Sequence, residues 1–282
     1  MSENPSTRKV ILQLLTAAGP TYVPVQGLVY GMSLLGVNEN CLRVTLARLK
    51  QERLVELGRR GEYRLGPAAR ALSEEIAAWR QIEEKVETWD GTWIGVHTAG
   101  LSSQRKTARQ RQRALKLLGF RQWCTGLELR PNNLRGGIER TRERLRNLGL
   151  EAQAPIFRLS DWNPAPEKAI TKLWSIEKLH RQYTQMVERL ESSVSQFPHL
   201  TPEEAGRESF WLGSEAMRLL LLDPLLPPPL CREDLRRRLR DTMLHYDRQS
   251  RLVWEQIIQP ISHIPTLTAP YRPMISQTSA FV

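Results

Sequence analysis

This 282-residue chain predicts an α+β protein, and three patterns in chain order predict it. Three stretches of helical apolar spacing come first, closed by two short extended runs around Gly58-Arg59-Arg60-Gly61. Between residues 91 and 162, extended and helical stretches alternate as β-α-β-α-β. Helical stripes without strand signals then run to about residue 260. Together they read as an N-terminal winged helix-turn-helix (1–70), a connecting helix (71–90), a central ferredoxin-like α/β domain (91–162), a C-terminal helical domain (163–260) and a tail (261–282).

Each element has a local reason. Arg8–Ala18 has helical apolar spacing and is ended by Gly19-Pro20, and Val25–Leu35 is a second helix closed near Gly36. Asn38 or Asn40 can cap the third, because an amide oxygen accepts an orphan backbone N–H. Leu54–Leu57 and Glu62–Leu65 are the strands of a hairpin, whose tip glycines allow a tight turn. Pro67–Trp89 is rich in helix formers and reads as one connecting helix. In the central part, Thr92–Thr98 is a buried strand and Gln104–Leu118 an arginine-rich helix ended by Gly119. Phe120–Arg130 is an extended stretch split at Gly126, Leu134–Leu148 is a second helix, and Ala154–Leu159 is extended again. Ala169–Phe197 then carries Ile170, Leu173, Ile176, Leu179, Tyr183, Val187, Leu190 and Val194 on one stripe. Glu203–Leu222 and Cys231–Ile258 are helices separated by DPLLPPPL, which proline must break.

Charge narrows the partners. The formal net charge is +11 with a pI near 10.0, which favours polyanions. Asn40–Arg70 holds eight Lys/Arg against three Glu, a surplus of +5, and Leu101–Leu150 holds thirteen against three, a surplus of +10. The remainder is therefore acidic on balance. Cys41, Cys124 and Cys231 stand far apart without metal-ligand or disulfide spacing, so a reduced, cytoplasmic protein without a bound metal is expected. No run approaches the roughly 18 apolar residues of a membrane helix, and MSENPSTRK has no apolar signal core.

The first basic region fits a DNA reader. At about 100° per residue, Leu42, Leu46 and Leu49 share one side of the third helix. Asn40, Val44, Ala47, Arg48 and Gln51 fall on the other, with Arg43 beside them. Arg forks onto guanine, Asn or Gln pairs with adenine, and Val or Ala meets a thymine methyl in the major groove. Arg59 and Arg60 at the hairpin tip would reach phosphates or the minor groove. The plain alternative is a solvated amphipathic helix before a surface hairpin.

The run LLTAAGPTYVPVQGLVYGMSLLGVNENCLRVTLARLKQERLVELGRRGEYRL resembles the N-terminal module of PaaX-type repressors of bacterial phenylacetate degradation, most closely in LGVNENCLRVTLARL and GRRGEYRL. The resemblance continues through WDGTW (Trp89–Trp93), RALKLLGFRQWCTGLELRPNNL (Arg113–Leu134) and DPLLPPPL (Asp223–Leu230). It implies a winged-helix domain, a central ferredoxin-like domain, a helical C-terminal domain, a homodimer and repression relieved by an aryl-CoA thioester. The chain differs from the family where Pro24-Val25-Gln26-Gly27 replaces a glycine-rich turn, and where charged CREDLRRRLRDTML follows DPLLPPPL.

The second basic region allows three readings. Arg105, Arg109, Arg113 and Lys116 share a helix face that is solvated, touches DNA a second time, or captures coenzyme A phosphates. Arg140/Arg144 and Arg142/Arg146 are like-charge pairs beside Glu139 and Glu143. Trp89, Trp93 and Trp123 are candidates to line an aryl pocket, and Arg207 and Arg218 to meet an anionic effector. The central part also resembles small CRISPR-adaptation nucleases, whose metal chemistry wants a carboxylate at the end of the first strand; Trp93–Thr98 has none there, and Asp90 precedes it. No phosphate-loop, nucleophile-elbow or HExxH motif occurs, and neither a catalytic residue nor a cofactor is expected. The expected protein is a dimeric repressor binding a double-stranded operator, with a CoA-thioester effector and no membrane. The alternatives are a metal-dependent nuclease or an acyl-CoA sensor acting without DNA.

Overall fold

The computed structural model describes residues 7–18, 21–69, 78–161 and 172–258. It is a mixed helix-and-sheet protein with two antiparallel sheets. Its fold divides the chain into two compact units.

The described parts of the first unit are 7–18, 21–69, Leu200–Arg207 and 250–258. Helices α1 (Thr7–Ala18), α2 (Val25–Leu34) and α3 (Glu39–Gln51) are followed by β2 (Val55–Leu57) and β3 (Glu62–Leu65). A two-residue strand β1 (Val23–Pro24) pairs with the far edge of β3, giving the antiparallel order β1-β3-β2. Helix α1 packs on α2, α3 and β3. Val10, Ile11, Leu15, Leu28, Met32, Val55 and Leu65 are buried there. The α2–α3 turn is built by its own residues. Gly36 takes a left-handed φ of 78°, and Gly36 N–H and Val37 N–H donate back to the carbonyls of Ser33 and Met32. Asn38 then caps α3, its Oδ1 accepting from Cys41 N–H at 2.8 Å; of the two candidate asparagines, this one makes the cap.

The second unit comprises Ala78–His199 and Glu208–Gln249. Strands β4 (Trp93–His97), β5 (Arg121–Cys124), β6 (Leu127–Pro131) and β7 (Ile156–Leu159) form an antiparallel sheet in the order β5-β6-β4-β7. Helix α4 (Arg105–Leu117) joins β4 to β5, and α5 (Gly137–Asn147) joins β6 to β7. The stretch expected as one split strand is thus a hairpin. Gly126 turns it at φ 80°, and the pairing shifts register between Gln122 and Cys124. Ile94 and Val96 face a core with Ala114, Leu115, Leu118, Phe120 and Leu145. Trp93 belongs to the other core, shared with α6 (Ile176–Gln196), α7 (Pro202–Leu221) and α8 (Glu233–Ile258) through Tyr183, Leu190, Ala216, Leu239 and Tyr246. Where separate central and helical domains are expected, sheet and helices share one core, because both faces of β4 are apolar and each needs a covering layer.

The expected connecting helix takes another form where it is described. Residues 70–77 lie outside the described part, and Ala78–Lys85 is 3₁₀ helix with a non-helical Gln81. Trp79 and Ile82, three apart, are buried, which suits a three-residue turn. Val86 then bridges Leu134, and Glu87 N–H donates to the Asn133 carbonyl at 2.9 Å, so this segment is tied to the second unit. The tail 261–282, Ile170 and Trp162 also lie outside the described residues.

Candidate nucleic-acid interface

Helix α3 is oriented by three leucines. Leu42, Leu46 and Leu49 are 0%, 1% and 0% exposed, which turns the opposite face to solvent. Asn40, Arg43, Val44, Ala47, Arg48 and Gln51 are all exposed on it. Val44 is one of the large apolar side chains left open, at 46%. The two arginines differ electrically. Arg43 is held by Glu39 one turn earlier, with N···O distances of 2.5 and 2.7 Å, whereas the Arg48 side chain has no hydrogen-bond or ion-pair partner among the described residues. The Glu39–Arg43 pair was legible as an i,i+4 spacing that the outward-face reading passed over.

The hairpin is braced from β1. An added Cβ on Gly58 would come within 2.7 Å of the Tyr22 ring, so glycine is needed there for close approach rather than for an unusual φ. Gly61 is the position with a left-handed φ, 78°. Arg64 stacks its guanidinium 4.5 Å from the Tyr22 ring centroid and bonds Glu56 at 2.7 Å, so it stiffens the hairpin. Arg59, which is exposed, starts the 3₁₀ turn Arg59–Gly61; the Arg60 side chain lies outside the described part. Leu57 is 43% exposed on β2, an apolar contact that charge-based reading overlooks.

The effector candidates are placed differently. Trp93 is buried, stacked on Trp174 with centroids 6.1 Å apart, and meets the edge of Trp89 at 5.4 Å. Trp89 donates to the Thr92 carbonyl at 2.6 Å, and Trp89 and Trp123 are half-buried against the same core. Trp93 is therefore engaged in packing. Arg207 belongs to the first unit, where its Nε donates to the Leu34 carbonyl at 3.0 Å; Arg218 is exposed on α7 in the second. On α4, Arg105, Arg109, Arg113 and Lys116 are exposed. Among the described residues, no group of three or more His, Cys, Asp or Glu side chains is placed to hold a metal ion, and no helix is long and apolar enough to cross a membrane.

Charge-based reading also missed a buried polar framework in the second unit. Arg130 is 1% exposed; it donates to the carbonyls of Leu118 and Pro131 and to Asn133 Oδ1, and burial holds its guanidinium below the usual value. Asn133 Nδ2 donates to the Leu225 carbonyl at 2.7 Å, so the LRPNNL segment grips DPLLPPPL. Within the latter, Asp223 accepts from Tyr183 Oη and from Leu225 N–H, and burial raises its carboxyl. Arg236 bonds Glu83 through Nε and Nη2 and the Leu226 carbonyl through Nη1.

No family model matches the chain, and no curated protein matches it. Among solved structures, the uncharacterized protein Rv0674 from Mycobacterium tuberculosis is similar in fold, with a TM-score of 0.60 at 19% identity. The match covers 88% of this chain and 99% of that one.

Proposed function

We propose that this protein is a sequence-specific DNA-binding transcriptional regulator, a dimeric repressor released by an aryl- or acyl-CoA type effector. In this reading the first unit is a winged helix-turn-helix, with α3 in the major groove and the β2–β3 hairpin as the wing. The sheet of the second unit, with its β-α-β-β-α-β order, is the ferredoxin-like layer. The observation that carries the proposal is the α3 face. Three buried leucines aim a polar, small-apolar and arginine-bearing surface outward, and such a surface suits base edges in a major groove. The dimer and the effector rest on the resemblance to PaaX-type repressors.

Selection of duplexes from a random pool by the full chain tests this. The expected product is an inverted repeat with half-site centres separated by about 10 bp or a multiple of it, as for two helices on one DNA face. A pool that stays random after several rounds would overturn the assignment. An aryl-CoA thioester added to the selected complex is expected to weaken it, and unchanged affinity would remove the effector from the proposal.

A further inference from the structure

We infer that the outward face of α4 is a second, sequence-independent contact for the DNA phosphate backbone, made by Arg105, Arg109, Arg113 and Lys116. The inference rests on the DNA-binding reading above but on a different surface. Helix α4, RKTARQRQRALKL, contains no acidic residue. At about 100° per residue its four cations lie within an arc of about 80°, opposite buried Ala114 and Leu115. All four are exposed, and none of their side chains has a hydrogen-bond or ion-pair partner among the described residues.

The neighbouring arginines show that this is selective. On α5, Arg140 pairs with Glu143 at 2.6 Å and Arg142 with Glu139 at 2.5 Å. On the inner side of α4, Arg111 pairs with Glu151. Only the outer face of α4 retains a row of cations without counter-charges among these. Arg105 and Lys106 also stand in its first turn, where the helix dipole disfavours cations and favours an anion. Steps of three and four residues rise about 5–6 Å, and the whole row spans about 17 Å of helix. That length corresponds to about five phosphates of one strand at about 3.4 Å of axis each. A convex row of this extent fits a polymer of phosphates better than a small ligand, which needs a concave site.

The test uses the full chain, with Arg105, Arg109, Arg113 and Lys116 replaced together by Ala, and in a second variant together by Gln. Affinity for the selected duplex and for a random duplex of the same length is measured against salt. The slope of log K against log salt is expected to become shallower by up to about 3.6, about 0.9 for each phosphate that is no longer neutralised. The change should be equal on both duplexes, leaving the specific-to-random ratio intact. Arg48→Ala should instead lower that ratio. Wild-type slopes in both α4 variants, with Arg48→Ala still lowering the ratio, would sink the second contact and leave the α3 reading standing. A wild-type protein without salt-dependent DNA affinity would remove both. Loss of binding to anionic lipid vesicles in place of DNA would reassign the face and overturn the proposal.

Discussion

Arg43 and Arg48 lie on the same side of α3 but start from different states. Arg43 already has Glu39 as a counter-charge, so contact with a base or phosphate must first displace an exposed pair worth about 0.2–1 kcal/mol. Arg48 gives up no such partner. Arg48→Ala is therefore expected to cost about 1–3 kcal/mol on the selected duplex and to relax preference at one base position. Arg43→Ala should cost less, and Glu39→Gln should tighten binding to every duplex; anisotropy titrations over single-base variants would read all three. Equal loss on specific and random DNA would instead make Arg48 a phosphate contact. Cys231 supplies a prediction about stability. It is buried, with His180 Nε2 3.3 Å from its sulfur and Asp223, Arg236 and Asp234 as its charged neighbours. Burial raises its thiol to about 11 from 9.0. The folded state therefore holds this proton after the unfolded chain has lost it. Stability associated with the thiol is full below pH 9.0 and is lost as pH rises towards about 11. Urea midpoints between those values should fall more steeply for the wild type than for Cys231→Ala. Parallel curves would show that the thiol titrates as it does in the unfolded chain.

At the scale of elements, the proposed DNA reading depends on the α2–α3 corner and the hairpin. Asn38→Ala removes the oxygen that caps α3 and should cost about 1 kcal/mol of stability. Asn40→Ala removes no cap, and should leave stability near wild type while weakening DNA binding. Denaturant melts alongside binding curves separate the two. Gly58→Ala forces a Cβ towards the Tyr22 ring, so the hairpin must shift. The expected loss falls on DNA affinity more than on α3. This part was legible because apolar spacing marks all three helices, Gly19-Pro20 and Gly36 punctuate the sequence after the first two, Asn38 caps the third, and the Gly-Arg-Arg-Gly tip marks the hairpin. Two stretches were not. Ala78–Lys85 is full of helix formers, but its buried residues repeat at three and the next residues pair with Asn133 and Leu134, just after β6. Phe120–Arg130 reads as one extended run, because a hairpin with a two-residue turn leaves alternation nearly unbroken.

For the molecule as a whole, composition located the charge but not the partition of the chain. The second unit gathers segments far apart in sequence. Arg80 meets Asp247 at 2.9 Å, Asn133 reaches Leu225, and Arg236 bonds Glu83. No local pattern announces such pairs, since a buried arginine and a solvated one look alike in sequence. Arg236 lies in a run of four basic residues among five, Arg236, Arg237, Arg238 and Arg240 around Leu239, yet it is 1% exposed while Arg237 and Arg238 are open. The asymmetry gives a direct test of how the unit is held. Arg236→Met leaves Glu83 and the Leu226 carbonyl without their donor, and should cost about 3–5 kcal/mol, as removal of one member of a buried pair does. Arg238→Met, on the same helix, removes an exposed pair with Glu191 and should cost less than about 1 kcal/mol. The double variant Arg236→Met/Glu83→Leu replaces both charges with apolar groups and should recover most of the loss. Equal costs for the two single variants, read from urea midpoints, would mean that Arg236 is not a structural tie. Failure of the double variant to recover would place the cost in the groups that both substitutions leave behind, the Leu226 carbonyl and the buried Asp223 carboxyl that Arg236 also faces.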